Sequence, residues 1–324
     1  MKIERFSEMI EEIHRDRGIP RETLVEAIRF SLLSAAKKII KEDTDFLDAT
    51  ITDDGEVKII LKKDDTETDV TPHDFGRLAA QAAKQVILHR IREAEREGAY
   101  EEFAGRGGEL ITGTIQKRER SGYLINLGRI ETILPPSDQI PGEIYREGDR
   151  IRLYVVEVIK TTKGPYIVVS RAHPGLIQRL FELEVPEIKE GILEIKAIAR
   201  EPGRRTKIAV FSNDEKIGAV GTCVGQMGVR IQNIVKELGP ERVDIVEWKA
   251  DPAAFIVNAL SPAKVVKLVI NEEKKSANVY ILQKDLSLAI GKEGQNVRLA
   301  GKLTGYNINV FPESDLNKEA KNAN

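Results

Sequence analysis

The sequence predicts a multidomain α+β protein: a helical head with some strand, a small five-stranded barrel, and one α+β unit present twice in tandem. Three observations predict it. At 324 residues the chain exceeds what a single core accommodates, so three or four small domains are expected. Apolar periodicity is helical over roughly the first hundred residues, then changes to short alternating runs. Finally, a strand–strand–helix–loop–helix–strand order occurs twice at an offset of about 70 residues, which is duplication and not a solenoid.

In the head, Ile3, Phe6, Ile10 and Ile13 give an amphipathic helix ending near Gly18. A second helix follows Pro20 through Leu24, Ala27, Ile28, Leu32, Ala35 and Ile39. Strands come next, split by the turn Asp53-Asp54-Gly55. A long helix then runs from roughly His73 to Ala104, with Leu78, Ala82, Val86 and Ile91 on one face. Its tail, Arg90 to Arg96, alternates in charge as a solvated face does. Gly105-Arg106-Gly107-Gly108 marks a boundary. Five short strands follow: Leu110 to Gln116, Tyr123 to Leu127, Thr132 to Leu134, Ile151 to Val158 and Tyr166 to Ser170. Such density suggests an OB-type barrel. Lys117, Arg118 and Arg120 cluster at its first turn, either as an ordinary solvated turn or as a phosphate contact.

Each duplicated unit carries a Gly-x-x-Gly loop. Around the first, Ile192 to Ile198 and Lys207 to Phe211 are strands joined by a turn containing Gly203. Val229, Ile231, Ile234, Val235 and Leu238 follow at helical spacing, stopped by Gly239-Pro240, before the strand Val243 to Trp248. Around the second, Val265 to Ile270 and Ala277 to Leu282 are strands, and Leu286 to Ile290 and Val297 to Leu303 are helices. Tyr306 to Phe311 closes that unit. This is the order of a KH domain, whose loop clamps the backbone of single-stranded RNA. With 25 glycines, chance alone gives about two Gly-x-x-Gly patterns, so context must choose among the four present. Gly105 to Gly108 reads as a linker and Gly218 to Gly221 as a tight helix contact. Gly225-Gln226-Met227-Gly228 and Gly291-Lys292-Glu293-Gly294 alone sit at equivalent topological places. Small glycines admit a phosphate close to the main chain, and the next helix turns its unpaired N–H groups toward it.

Charge divides unevenly. Residues 1–104 carry 17 basic and 24 acidic side chains, a net of −7. Residues 105–174 carry 11 and 8, and the remainder 22 and 20, so both are weakly basic. An acidic head repels RNA, so its partner is expected to be a protein. A single cysteine, Cys223, excludes a disulfide framework and a cysteine metal cluster, and reads as a small buried side chain. His14, His73, His89 and His173 are scattered, and no Walker, HExxH or CxxC pattern occurs. Asp53-Asp54 and Asp64-Asp65 read as turn acids and not as metal ligands. No catalytic residue, cofactor or metal is therefore expected. With no membrane-length apolar run and a charged start lacking a secretory core, a cytoplasmic location is expected.

The strings Ala82-Ala83-Lys84-Gln85-Val86-Ile87, Val185-Pro186-Glu187-Ile188, Lys207-Ile208-Ala209-Val210 and Glu241-Arg242-Val243-Asp244-Ile245-Val246 occur in that order. They lead to Ala289-Ile290-Gly291-Lys292-Glu293-Gly294-Gln295-Asn296-Val297-Arg298-Leu299-Ala300. With the domain order, they make nearly the whole chain resemble the bacterial NusA family of transcription termination/antitermination factors. The resemblance implies four segments: an N-terminal domain at 1–104 that binds RNA polymerase core, an S1-motif OB domain at 105–174, and tandem prokaryotic-type (type II) KH domains at 175–250 and 251–324. It implies a non-enzymatic factor that holds nascent single-stranded RNA and modulates pausing, termination and antitermination. Other elongation or antitermination factors and ribosomal proteins are further implied partners.

The expected RNA contacts are the two loops with Gln295, Asn296, Arg298 and Lys302 beside the second and Arg230 beside the first. Lys117, Arg118, Arg120, Arg205 and Lys207 complete the set. Three departures from the family pattern shape the expectation. Gln226-Met227 lacks the usual loop arginine, so the first loop grips phosphate less well unless Arg230 compensates. Leu124 stands where many S1 domains have a stacking aromatic, and Tyr123, on a face with Ile125 and Leu127, is expected in the core. Acidic C-terminal repeats, and autoinhibition through them, are not expected. Two other classes share part of this pattern. Phosphorolytic exoribonucleases carry KH and S1 domains in the opposite order behind a catalytic core. A ribosome-assembly or translational RNA binder shares the RNA half without needing a polymerase-binding head.

Overall fold

The structure is a computed structural model that describes residues 3, 5–41, 44–63, 66–73, 75–161 and 164–316. It divides into two compact units, Met1–Gly105 with Ile159–Tyr166, and Arg106–Val158 with Ile167–Asn324.

In the first unit, α1 (Phe6–Arg17) and α2 (Arg21–Ile39) bury Phe6, Ile10 and Ile13 against Leu24, Ile28, Leu32 and Ala36. Strands β1 (Leu47–Ile51) and β2 (Val57–Lys63) form an antiparallel hairpin across the Asp53-Asp54-Gly55 turn. A third strand, β3 (Thr66–Asp69), pairs with β2. Sequence patterning does not reveal it, because all four of its residues are polar and exposed and so carry no apolar alternation. Helix α3 (Phe75–Phe103) is long, as expected, but its buried line is Phe75, Ala79, Ala83 and Ile87. The expected line is displaced by one position: Ala82, Val86 and Ile91 only flank the core, and Leu78 is 46% exposed. The alanines at 79 and 83 let α2 approach closely, and closeness to the neighbouring helix outweighs side-chain hydropathy there. Asp53 pairs with Arg21 at 2.6 Å, while Asp64 and Asp65 lie outside the described residues.

After Gly105, β4 (Leu110–Glu119), β5 (Gly122–Asn126), β6 (Glu131–Leu134), β7 (Arg150–Thr161) and β8 (Gly164–Ser170) lie in the order β6-β5-β4-β7-β8. This is a nearly closed five-stranded barrel. The two edge strands meet where the buried Thr132 hydroxyl donates to the Ile167 carbonyl at 2.5 Å.

Two like-built layers follow. The first comprises α4 (Pro174–Glu184), α5 (Pro186–Lys189), β9 (Leu193–Glu201), β10 (Arg205–Ser212), α6 (Ala219–Val224), α7 (Val229–Leu238) and β11 (Arg242–Glu247). The second comprises α8 (Pro252–Ala259), β12 (Val265–Asn271), β13 (Ser276–Ile281), α9 (Leu286–Ile290), α10 (Gln295–Thr304) and β14 (Asn307–Pro312). In each three-stranded sheet the middle strand runs antiparallel to its predecessor and parallel to its successor. A leading helix with this mixed sheet is the type II KH arrangement. Apolar spacing in the sequence does not bring out α4 or α8. Their start signals are present nonetheless: a proline opens each, and the Asp251 carboxylate accepts from the N–H groups of Ala253 and Ala254.

The two KH sheets are not independently cored. Ala199, Ala209 and Val246 on the outer face of the first sheet pack with Phe255, Ile256, Leu299, Ala300 and Leu303 of the second layer in one buried cluster. The other face of the first sheet has its own core, with Leu176, Ile177, Leu180 and Phe181 from α4 and the buried Cys223. Burial pushes that thiol up to about 11, which makes it an inert packing group. Gly218 and Gly221, expected at a tight helix contact, do not make one. A Cβ placed on either would meet no atom within 4 Å, so Gly218 simply caps α6 and Gly221 faces open space.

Candidate nucleic-acid interface

The two loops share one backbone. Gly225 and Gly291 have φ/ψ of 77/170° and 73/174°, a region that glycine alone occupies readily. Met227 and Glu293 then stand at 54/16° and 55/27°, and Gly228 and Gly294 at 76/14° and 72/13°. Two successive left-handed residues, one of them not glycine, store strain that surrounding structure must hold. The Gly228 and Gly294 N–H groups close each turn on the Gly225 and Gly291 carbonyls at 3.0 and 3.2 Å, and α7 and α10 direct their positive N-terminal ends toward it. The arrangement suits an anion approached closely by main chain.

Beneath each loop one side chain braces it. In the second unit, Asn296 is fully buried and its Nδ2 donates to the carbonyls of Leu260, Leu288 and Ala289 at 3.3, 3.2 and 3.1 Å. Its Oδ1 is buried without a hydrogen-bond partner. A Cβ at Gly291 would stand 2.8 Å from Asn296 Cβ, so the brace also requires glycine there. In the first KH layer the equivalent position is Arg230. Its Nη1 donates to the Thr222 carbonyl at 2.9 Å and to both Glu187 carboxylate oxygens at 3.0 Å. A Cβ at Gly225 would stand 2.8 Å from Arg230 Cγ.

These placements correct part of the expected contact set. Asn296 is an internal brace and offers no exposed atom. Arg230 is committed to Glu187, so it does not supply the charge that Gln226-Met227 lacks. Lys207 is fully buried, with its ammonium 3.0 Å from Asp244, and burial lowers its pKa. A lysine in the alternating pattern of β10 reads as a surface residue, yet both faces of this central strand are covered. Arg205 is partly exposed and bonded to the same Asp244 at 2.7 Å.

The remaining residues are accessible. Gln226, Met227 and Lys292 are exposed, Met227 to 90%, and Lys302 is exposed on α10. Glu293 pairs with Arg204 at 3.1 Å. Arg298 is bound by Glu201 of the β9–β10 turn at 2.6 and 3.0 Å, and Gln295 reaches the same carboxylate at 2.9 Å. The Arg298 hydrogen bond, helped by Gln295, holds Glu201 at about 2 against the opposing effect of burial. The second loop is thus moored to the first KH layer, through a glutamate that no motif in the sequence singles out.

On the barrel, Lys117 and Arg118 end β4 and Arg120 lies in the following turn, all exposed. Lys117 pairs with Glu119 at 3.0 Å. Tyr123 is half-buried and not part of the core: its ring lies 5.0 Å from that of Tyr145, with the Arg118 guanidinium 6.0 Å above it. β4 shifts register between Ile115 and Lys117, so Ile125 lies opposite the buried Ile115 while Tyr123 lies opposite the exposed Arg118. Among the described residues no group of three metal-ligating side chains converges, and no helix is long and apolar enough to cross a membrane.

Comparison with known proteins agrees with this architecture in order and extent. Family models match for the NusA N-terminal domain at residues 5–67 and 61–97, and for the S1 RNA binding domain at 106–170. The NusA-like first and second KH domains match at 171–248 and 252–318. The chain is similar to the transcription termination/antitermination protein NusA of Halalkalibacterium halodurans, 42% identical over 338 residues covering 96% of this chain and 88% of that one. The NusA of Bacillus subtilis is 43% identical over 94% of this chain and 89% of its own. That of Mycobacterium bovis is 44% identical over 92% and 90%. The chain belongs to the NusA family, with that family's N-terminal domain, an S1 RNA binding domain and two NusA-like KH domains in one line.

Proposed function

We propose that this protein is a non-enzymatic transcription termination/antitermination factor of the cytoplasm. Its N-terminal segment (1–104) binds RNA polymerase core; its S1 (105–174) and KH (175–250, 251–324) segments bind nascent single-stranded RNA and so modulate pausing, termination and antitermination. The observation that carries the RNA half is the pair of loops with one strained backbone, of which the second adds the exposed Lys292. The first loop, without a cation of its own, continues the grip by shape alone. Lys117, Arg118, Arg120 and Lys302 supply further phosphate contacts, and Arg298 supports the loop from beneath.

Two features of the head support a protein partner. Its net charge of −7 disfavours RNA. Phe30 on α2 is 75% exposed beside a groove between α2 and α3 that Ala27, Gln85, Val86 and Arg90 help to line. An exposed aromatic within a polar rim is the composition of an interface anchor. The test is capture of purified core polymerase by the full chain and by its Phe30→Asp variant. The expected result is retention by the parent and about tenfold weaker retention by the folded variant. Capture of ribosomal particles in place of polymerase would refute the reading.

A further inference from the structure

The second KH sheet ends in an open edge. Strand β12 pairs with β13 on one side and has α8 beside it. Among the described residues, its other side makes no main-chain hydrogen bond. The equivalent strand of the first layer, β9, has α4, α5 and α10 packed against it. The edge of β12 is also largely apolar. Its core-facing line is Val265, Leu268 and Ile270, and its solvent-facing line is Lys267, Val269 and Asn271. Val266, at a register shift between Val265 and Lys267, is 49% exposed, and Val269 is 46% exposed.

Sheet edges are ordinarily blunted by bulges, charges or proline. Here the shift touches one end of β12 and Lys267 is the strand's one charge, so Lys267 to Asn271 stays regular and open. The chain's own sequence fits this edge in one antiparallel register. Centring on Leu268 sets that residue against its own copy, Val266 against the partner's Ile270, and Lys267 against the partner's Val269. At each end it brings Lys264 level with the partner's Glu272, both exposed and neither in an ion pair among the described residues. Other registers fit worse. Centring on Lys267 opposes two lysines, and centring on Val269 sets Val266 against Glu272 and Lys264 against Lys274. A slip of one residue turns core-facing side chains toward the partner's solvent face.

We infer that a second copy of this chain pairs along β12, antiparallel about a two-fold axis at Leu268, so that two KH sheets join into one of six strands. The contact is self-complementary, as a two-fold interface must be. Main-chain hydrogen bonds supply the affinity, and the alternation of side chains supplies the register. Helices α9 and α10, which flank the Gly291–Gly294 loop, pack at β14 on the opposite edge of the sheet, so pairing at β12 leaves that loop open. One strand pair buries well below the roughly 1,600 Å² of a standard interface. The association is therefore weak, with a dissociation constant on the order of 0.1 mM.

The experiment is sedimentation equilibrium of the full chain from about 10 µM to about 1 mM, tenfold either side of that constant. The parent is compared with Val269→Lys, with Val269→Glu, and with Lys267→Glu combined with Val269→Lys, each checked for native melting. The parent is expected to dimerise. Val269→Lys sets a lysine against the partner's Lys267 at both symmetric positions, and should weaken the dimer about tenfold or more. Val269→Glu sets opposite charges there and should tighten it a few-fold, a gain that added salt removes. The double variant exchanges the two charges and should recover the parent's affinity. A parent that stays monomeric through about 1 mM overturns the inference. A dimer indifferent to all three variants lies on another surface and overturns it as well. So does a monomer whose β12 amides gain protection from hydrogen exchange only when core polymerase is added, since the edge then belongs to a strand of another protein.

Discussion

Gly291 and Gly294 stand three residues apart and answer to different constraints. Gly291 occupies a backbone region closed to other residues and abuts Asn296, whereas a Cβ at Gly294 meets nothing nearer than 3.9 Å. Gly294→Ala is therefore expected to cost about 1–2 kcal/mol, the left-handed penalty alone, and Gly291→Ala distinctly more; urea unfolding of both variants measures the difference. Glu201 gives a pH prediction. Its carboxylate is held at about 2, below its ordinary 4.5, so the stabilisation it lends the KH–KH contact is complete above about pH 4.5 and is lost as pH falls through about 2. Glu201→Gln should flatten the acid dependence of stability in that window. An unchanged acid profile in the variant would remove Glu201 from the docking contact.

At the scale of elements, backbone and charge come apart. The loops are conformational twins, but Met227 sits where the second loop has Glu293, and neither Gln226 nor the neutralised Arg230 provides a cation. Met227→Lys, at a position 90% exposed, is expected to raise RNA affinity a few-fold and steepen the salt slope by about 0.7, with little change in melting. No change in either quantity would mean that the first loop does not meet phosphate. The legible and illegible parts of the fold divide along physical lines. Strands and helices with strong apolar periodicity, such as α1, α2, β4, β7 and α7, follow from the sequence. Strand β3 does not, because only its backbone takes part. Helices α4 and α8 announce themselves by caps and prolines, signals that apolar spacing alone passes over. Within the site, the loops are readable because glycine spacing encodes backbone shape. The fates of Lys207, Arg230 and Asn296 are not, because each is decided by a partner distant in sequence or by an element packed over it.

At the scale of the molecule, buried polar links tie the barrel to the first KH layer, and partly exposed ones tie that layer to the second. Arg171 reaches Glu143 of the barrel at 2.6 and 2.8 Å and Glu237 of α7 at 3.1 Å, with 1% of its side chain exposed. Arg200 and Glu241 form a fully enclosed pair with two contacts of 2.9 Å, and Glu241 also accepts from Thr206 and from the Gly203 N–H. At Gly203 a Cβ would overlap the Pro141 carbonyl, so the β9–β10 turn touches the barrel on one side while Glu201 and Arg204 hold the second loop on the other. Glu241→Gln leaves a buried guanidinium without its counter-charge, so it should cost about 3–5 kcal/mol and loosen the barrel and KH layers together. Hydrogen exchange confined to the first KH layer would contradict that coupling. The proposed function requires that this scaffold present the Gly291–Gly294 loop to RNA. The most direct measurement is the affinity of the full chain for single-stranded RNA after Gly291→Asp with Gly294→Asp. The expected result is a loss of tenfold or more in a variant that keeps its native secondary structure and melting cooperativity. Wild-type affinity in that folded variant would contradict it.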